Sequence, residues 1–248
     1  MMARMAKHGR AKDRDPRPAK RRGNRPGAGW TIDSISESLL GPGVRAASLE
    51  EALAALENLQ PDLDWAGVSD QVIPLFQRLR PYPPGFPDAV RHVLPSGISV
   101  TFGIDTGPAF LHVTPEIIEG WGRTVGQVAD RALRNLRQRA ALVGPDALLR
   151  EPIGHVPMQA LQSGTGSAST FVLVPDELPR IFGPQRQLFL APMRDLLVSV
   201  PWDIEPAFAS WLYGEFAMPD PNCLAPLGFR FADGRVTVEA LDEPAAIA

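Results

Sequence analysis

Leu188-Phe189-Leu190-Ala191-Pro192-Met193-Arg194-Asp195-Leu196-Leu197-Val198-Ser199-Val200 is the stretch that decides the fold, with Phe171-Val172-Leu173-Val174 shortly before it. The longer stretch reads as two apolar runs joined by a tight turn, Ala191 to Arg194. Pro192 stands there where its fixed φ suits the second turn position. Neither run alternates between apolar and polar residues, so the strands are expected to be covered on both faces. Phe171 to Val174 reads as a further strand, entered through the Gly/Ser run Ser163-Gly164-Thr165-Gly166-Ser167-Ala168-Ser169.

Downstream, residues 175–182 read as a short helix. Glu205 to Phe216 reads as a longer one that buries Phe208, Trp211, Leu212 and Phe216. Asp233-Gly234 between Phe229-Arg230-Phe231 and Val236-Thr237-Val238 is a hairpin signal, because a two-residue turn of the right twist needs positive φ at both positions. Upstream, Ile98, Val100, Phe102 and Ile104 alternate as in a strand. Asp105-Thr106-Gly107-Pro108 is turn chemistry, and Ala109 to Val113 completes a second hairpin. Thr114-Pro115 starts a short helix. Thr124 and Gln127 form a capping box ahead of Val125, Val128, Ala129, Ala132, Leu133, Leu136 and Ala140, which line one face of a helix. Residues 143–158 give no single reading.

Residues 30–79 read as helical. Ser48 and Glu51 form a capping box before a leucine stripe, and residues 68–79 present Val72, Ile73, Phe76 and Leu79 on one side, limited by Pro74. Four prolines make 80–87 an extended connector, and a short helix is expected over 88–94. The fold class is therefore α+β, with a mixed or mostly antiparallel sheet of about five to seven strands covered by helices. Its parts are a disordered basic arm over 1–29, a helical layer over 30–80, an α+β body over 81–242 and a frayed tail over 243–248.

Charge is unevenly shared along the 248 residues. Residues 1–26 hold ten Lys or Arg and two Asp, a net +8, and the remaining 15 basic and 26 acidic residues give −11. The arm has too few apolar residues to offset its ordering entropy. It suits nucleic acid or another anionic partner, since Lys and Arg contacts to phosphate need no fold; a solubilising tail is the plainer alternative. A single cysteine, Cys223, excludes an internal disulfide and a paired-cysteine zinc site, and suits a reducing, cytoplasmic setting. No apolar run is long enough to span a membrane, and no secretory h-region is present. Neither a cofactor nor a metal is expected.

Three segments resemble the YtpQ-like family of bacterial proteins. They are Phe102 to Arg137, with Glu119-Gly120-Trp121-Gly122 and Ala132-Leu133-Arg134-Asn135-Leu136-Arg137; then Gly164 to Val174; then Leu190 to Leu197. The likeness spans roughly residues 75–205. It implies a cytoplasmic α+β domain and no particular reaction. The family pattern at the Gly-rich turn has an acidic residue followed by Ala-Ser-Arg, where this chain has Ser167-Ala168-Ser169-Thr170.

Few residues suggest chemistry. Asp105-Thr106-Gly107 after an apolar strand resembles the loop of aspartic proteases, which need two carboxylates sharing one proton. With one such triplet, this route requires a homodimer that pairs Asp105 with its mate. A hairpin turn accounts for the same residues. Gly164 and Gly166 could cradle a phosphate through backbone N–H groups, although no P-loop Lys follows. His155, flanked by Gly154 and Val156, is the freest candidate base. Arg194 and Asp195 are either a turn ion pair or a binding spot for a partner's backbone or an anionic group. The leading reading is a non-enzymatic binding or accessory module; the alternative is a hydrolase, in its most concrete form a dimeric aspartic-protease-like enzyme.

Overall fold

The computed structural model describes residues 63–78, 88–94, 98–107, 109–217 and 223–241. The basic arm, the Ser48–Glu51 capping box, the proline-rich connector and the tail at 243–248 lie outside the described residues. The class is α+β, with antiparallel strands in two sheets of four and six strands.

A short helix α1 (Trp65–Val68) and a 3-10 turn (Ser69–Gln71) lead into β1 (Val72–Arg78). The helix expected over 68–79 is therefore replaced by a strand. Val72, Ile73, Leu75 and Phe76 are all fully buried, which a strand covered on both faces achieves and a one-sided helix does not. Their spacing was equally compatible with a helix face, because a short continuous apolar run carries no decisive period. Pro74 is tolerated because β1 lies at the edge of its sheet among the described residues, where it pairs with β3 alone. Likewise Arg91–Val93 is a strand, β2, and not part of a helix, because it pairs with Ser99 to Thr101 of β3 (Ile98–Asp105). β4 (Phe110–His112) completes the expected hairpin with β3.

Helix α2 (Pro115–Gly120) is capped by Thr114, and α3 (Val125–Leu142) by the Thr124–Gln127 box, with both reciprocal bonds made. Val128 and Ala132 pack with Phe102, Ile104 and Trp121 against the four-stranded sheet. One and two turns later, Leu136 and Ala140 join a different core. On the same helix, Asn135 Nδ2 donates to the carbonyls of Ser69 at 2.7 Å and Val72 at 2.8 Å, which fixes the entry into β1.

β5 (Leu148–Ile153) and β6 (Val156–Leu161) form a hairpin across 148–161, turning at Gly154 and His155. The strand expected at Phe171 is a 3-10 helix over Ala168–Leu173. It folds this way because the preceding loop is tied across the end of the larger sheet, as described below. Helix α4 (Leu178–Phe182) follows, and its Arg180 donates to the carbonyls of Ala140 and Val143 at the end of α3. β7 (Gln187–Met193) and β8 (Leu196–Pro201) are the two apolar runs. The central residues of their turn are Arg194-Asp195, where Pro192-Met193 were expected, a displacement of two residues. Met193 pairs with Leu196, and the register shifts between Leu190 and Met193. Pro192 thus sits in an irregular stretch where its missing N–H leaves no ladder bond unmade. Its carbonyl accepts from Leu224 N at 3.0 Å. Helix α5 (Pro206–Ala217) and the hairpin of β9 (Leu227–Ala232) and β10 (Arg235–Ala240) close the fold. Asp233 and Gly234 have φ of 51° and 74°, as the turn requires.

The six-stranded sheet runs β10-β9-β7-β8-β6-β5 and has a core on each face. Phe189, Ala191 and Leu197 face the core shared with β1, α3, α4 and the 3-10 segment. Leu188, Leu190, Leu196, Val198 and Val200 face α5. Phe76 of β1 stacks on Phe229 of β9 with ring centroids 5.5 Å apart, which joins the two sheets directly. Replacing Phe76 with Ala is expected to cost about 3–5 kcal/mol of unfolding free energy. Leu142→Ala, at a side chain 86% exposed, is expected to cost less than about 0.5 kcal/mol. Urea denaturation of the two variants checks both.

Candidate functional site

Four residues singled out in the sequence, Gly164, Gly166, Arg194 and Asp195, meet at the β7–β8 turn. Gly164 and Gly166 both have a φ of 70°, a left-handed conformation that turns successive N–H groups inward. The concavity they form holds Asp195. Its Oδ2 accepts from Gly164 N at 2.8 Å. Its Oδ1 accepts from Ser163 N and Ser167 N at 3.2 Å each, from Ala168 N at 3.3 Å, and from the Ser163 hydroxyl. The anion in this cradle therefore belongs to the protein itself, and a phosphate would have to displace it.

Further bonds tighten the clamp. Ser169 N and Ser169 Oγ both donate to the Arg194 carbonyl, at 3.2 and 2.7 Å. Ser163 Oγ, Thr165 Oγ1 and Ser167 Oγ form a chain with 2.9 Å steps. Gly166 also lies against the Phe110 ring of β4; a Cβ there would come within 2.7 Å of Cε2. The Gly-rich turn thus locks the end of the large sheet to the β3–β4 hairpin of the small one.

His112, on the same hairpin, carries a buried Nδ1 with no hydrogen-bond partner. Burial, and then the positive charge of Arg194, hold its pKa below the ordinary 6.5. Asp105 begins the turn of that hairpin. Its Oδ1 accepts from Gly107 N at 2.7 Å, an Asx turn, and its Oδ2 takes Arg139 Nη1 of α3 at 2.6 Å. Both oxygens of Asp105 are thus engaged within the chain. His155 stands on the exposed β5–β6 turn, and no hydrogen bond joins it to Asp105, Arg194 or Asp195 among the described residues. No group of three His, Cys, Asp or Glu side chains is placed to hold a metal ion among the described residues.

The sequence reading carried the cradle from Gly164 to Ser167 and passed over Ser163 and Ala168, which with Ser167 furnish most of the donors on Asp195. Their signal was the alternation of small hydroxyl residues with glycine, which allows both hydroxyls and amides to turn inward. It also passed over a second polar place at the opposite end of β7 and β8. There Gln159 pairs with Ser199, and Gln187, two residues before Phe189 on β7, shares their face, which otherwise carries Phe189 and Phe231. No protein-family model matches this chain, and neither a curated protein nor a solved structure is significantly similar to it.

Asp195→Ala leaves several inward amides without an acceptor. It is expected to cost about 2–3 kcal/mol in urea denaturation and to make residues 163–167 newly susceptible to limited proteolysis. His112 gives a pH dependence of definite sign. Its folded pKa lies below its unfolded one, so its contribution is fully present above about pH 6.5 and is lost as pH falls towards the depressed folded value. His112→Phe is expected to flatten that part of the stability curve, measured as the urea midpoint between about pH 7.5 and 5.5.

Proposed function

We propose that the protein is a binding or accessory module of a reducing, cytoplasmic setting, whose residues 1–29 engage an anionic partner such as nucleic acid. The observation that carries this reading is the charge partition: +8 within residues 1–26 and −11 in the remainder of a chain whose total is only −3. A basic stretch of this density binds phosphates by counterion release, which needs no preformed pocket. The acidic body repels the same polyanion, so contact is confined to the arm.

Two features of the site support a binding role over a hydrolytic one. Asp195 spends both oxygens on the turn clamp, and Asp105 spends both on Arg139 and Gly107. No helix among the described residues is long and apolar enough to cross a membrane. The resemblance to the YtpQ-like family belongs to the same reading, since it implies an α+β domain with no reaction attached.

Full-length protein is expected to bind a short duplex or single-stranded oligonucleotide at low salt, with affinity falling steeply as salt rises, by about 0.9 in log–log slope per phosphate contacted on duplex. A chain lacking residues 1–29 should lose this binding and keep its melting temperature. Fluorescence anisotropy over a salt series decides it: absence of binding by the full chain at low salt removes the reading.

A further inference from the structure

We propose that the cleft at the ends of β6, β7 and β8 binds a planar heteroaromatic ring that presents an amino group beside a ring-nitrogen acceptor, the edge that adenine carries. The site needs nothing from residues 1–29.

The cleft has a volume of about 240 Å³. That is below the usual range for drug-sized ligands, and it suits one ring system rather than an extended molecule. Its apolar walls include Pro157, Pro201 and Trp202, and its polar side is built from glutamines. Those glutamines converge on one atom. The Phe182 carbonyl, at the C-terminal end of α4, accepts from Gln187 Nε2 at 3.0 Å, Gln159 Nε2 at 3.1 Å and Gln185 Nε2 at 3.2 Å. A carbonyl oxygen has two lone pairs, so three donors exceed what it can use. Gln187 is fixed in addition by Gly183 O and by Ser199 Oγ, which donates to its Oε1. The surplus amide is therefore Gln159 or Gln185, and both line the cleft. Neither Oε1 takes a hydrogen bond among the described residues.

Turning one of these amides outward leaves the Phe182 carbonyl with two donors. The outward amide then shows an N–H and a C=O side by side. That pair is complementary to a ring edge with an acceptor nitrogen next to an amino group, as in the pairing of Gln with adenine. The indole of Trp202 offers the stacking face. It is held in place from behind the cleft: Arg230 Nη1 donates to the Trp202 carbonyl at 2.6 Å, and its guanidinium lies 4.9 Å from the ring centroid. Arg230 lines the neighbouring cavity and not the cleft. Arg186 also lies over Trp202, at 5.8 Å, but it is an exposed side chain paired with Asp233 at 3.5 Å. An entering ring displaces a loosely held guanidinium. Arg186 and Asp203 line the cleft with opposite charges, which favours a neutral ring over a charged one.

The ring could come from a free nucleoside or nucleotide, or from an unstacked base of a single strand. The test is a titration of the full chain with adenosine, read as quenching of tryptophan fluorescence. Inosine, in which a carbonyl replaces the amino group, is the control. Saturable quenching by adenosine is expected, with a Kd of about 1 mM or tighter. Inosine should bind about tenfold or more weakly. Trp202→Phe should abolish the quenching. The double variant Gln159→Ala/Gln185→Ala still leaves Gln187 on the Phe182 carbonyl, and it should weaken adenosine about tenfold with an unchanged melting temperature. An adenine oligonucleotide that remains bound at high salt, and loses that binding in the double variant, identifies the strand as the source. Binding of adenosine alone identifies the free nucleoside or nucleotide. Absence of saturable quenching, equal affinity for inosine, or unaltered affinity in a folded double variant overturns the proposal. Adenosine is uncharged, so its binding should be indifferent to salt and to removal of residues 1–29; failure of the arm to bind oligonucleotides would leave this site standing.

Discussion

Asp195 sits in a two-residue turn and takes its hydrogen bonds from a loop about thirty residues earlier in the chain. A carboxylate so placed has to be satisfied, because a buried or half-buried charge without donors costs more than the turn could recover. The loop supplies backbone amides from Ser163, Gly164, Ser167 and Ala168, and only a left-handed backbone at Gly164 and Gly166 points them to one place. This one interaction accounts for several separate features. It fixes where β7 ends and β8 begins. It diverts Ala168–Leu173 into a 3-10 helix over the core. Through the contact of Gly166 with Phe110 it also brings the edge of the small sheet against the end of the large one.

The two sheets would otherwise meet only through apolar packing, which sets distance but not register. Helix α3 supplies part of the missing specificity. Its first two turns cover the small sheet, its last two enter the core between the sheets, and Asn135 in the middle hydrogen-bonds the start of β1. Buried amide bonds of this kind have one geometry, whereas aliphatic contacts tolerate several. The Phe76–Phe229 stack then joins β1 to β9 across the same core.

Much of this was legible in the chain, and the parts that were share a cause. Helix α3, the β3–β4 hairpin and the β9–β10 hairpin are each dictated by neighbours in sequence: a capping box with a 3.6-residue stripe, alternation, and an Asp-Gly turn. The both-sided burial of β7 and β8 was also readable, because neither alternates. The misses are places where a distant partner decides. Val72 to Phe76 is a strand because β3 pairs with it, and Arg91 to Val93 is one for the same reason. Phe171 leaves the strand conformation because Ser169 is tied to Arg194. The turn lies at Arg194-Asp195 because Asp195 has an acceptor's role to fill, which the sequence signal of Pro192 could not reveal. At the candidate site, the chain singled out Gly164 and Gly166 as a cradle for an external phosphate and Arg194-Asp195 as a separate place, and no local signal showed that the two meet. The carboxylate that occupies the cradle lies 31 residues from Gly164 in sequence.

The two ends of the β7–β8 pair show opposite relations between donors and acceptors. At the turn, the carboxylate of Asp195 has several lone pairs and several donors, and the two match. At the other end, three side-chain amides crowd a single carbonyl, so donors exceed acceptors. Packing alone does not require this excess: Gln187 by itself satisfies Phe182, and an apolar residue in place of Gln159 would extend the face that carries Phe189 and Phe231. Desolvating an amide without need is unfavourable. Gln159 and Gln185 escape that cost because they stand at a cleft open to water, where their carbonyl oxygens are solvated. The matched end is a structural closure, complete without any ligand; the mismatched end keeps a hydrogen-bonding group in reserve at a surface lined by Trp202.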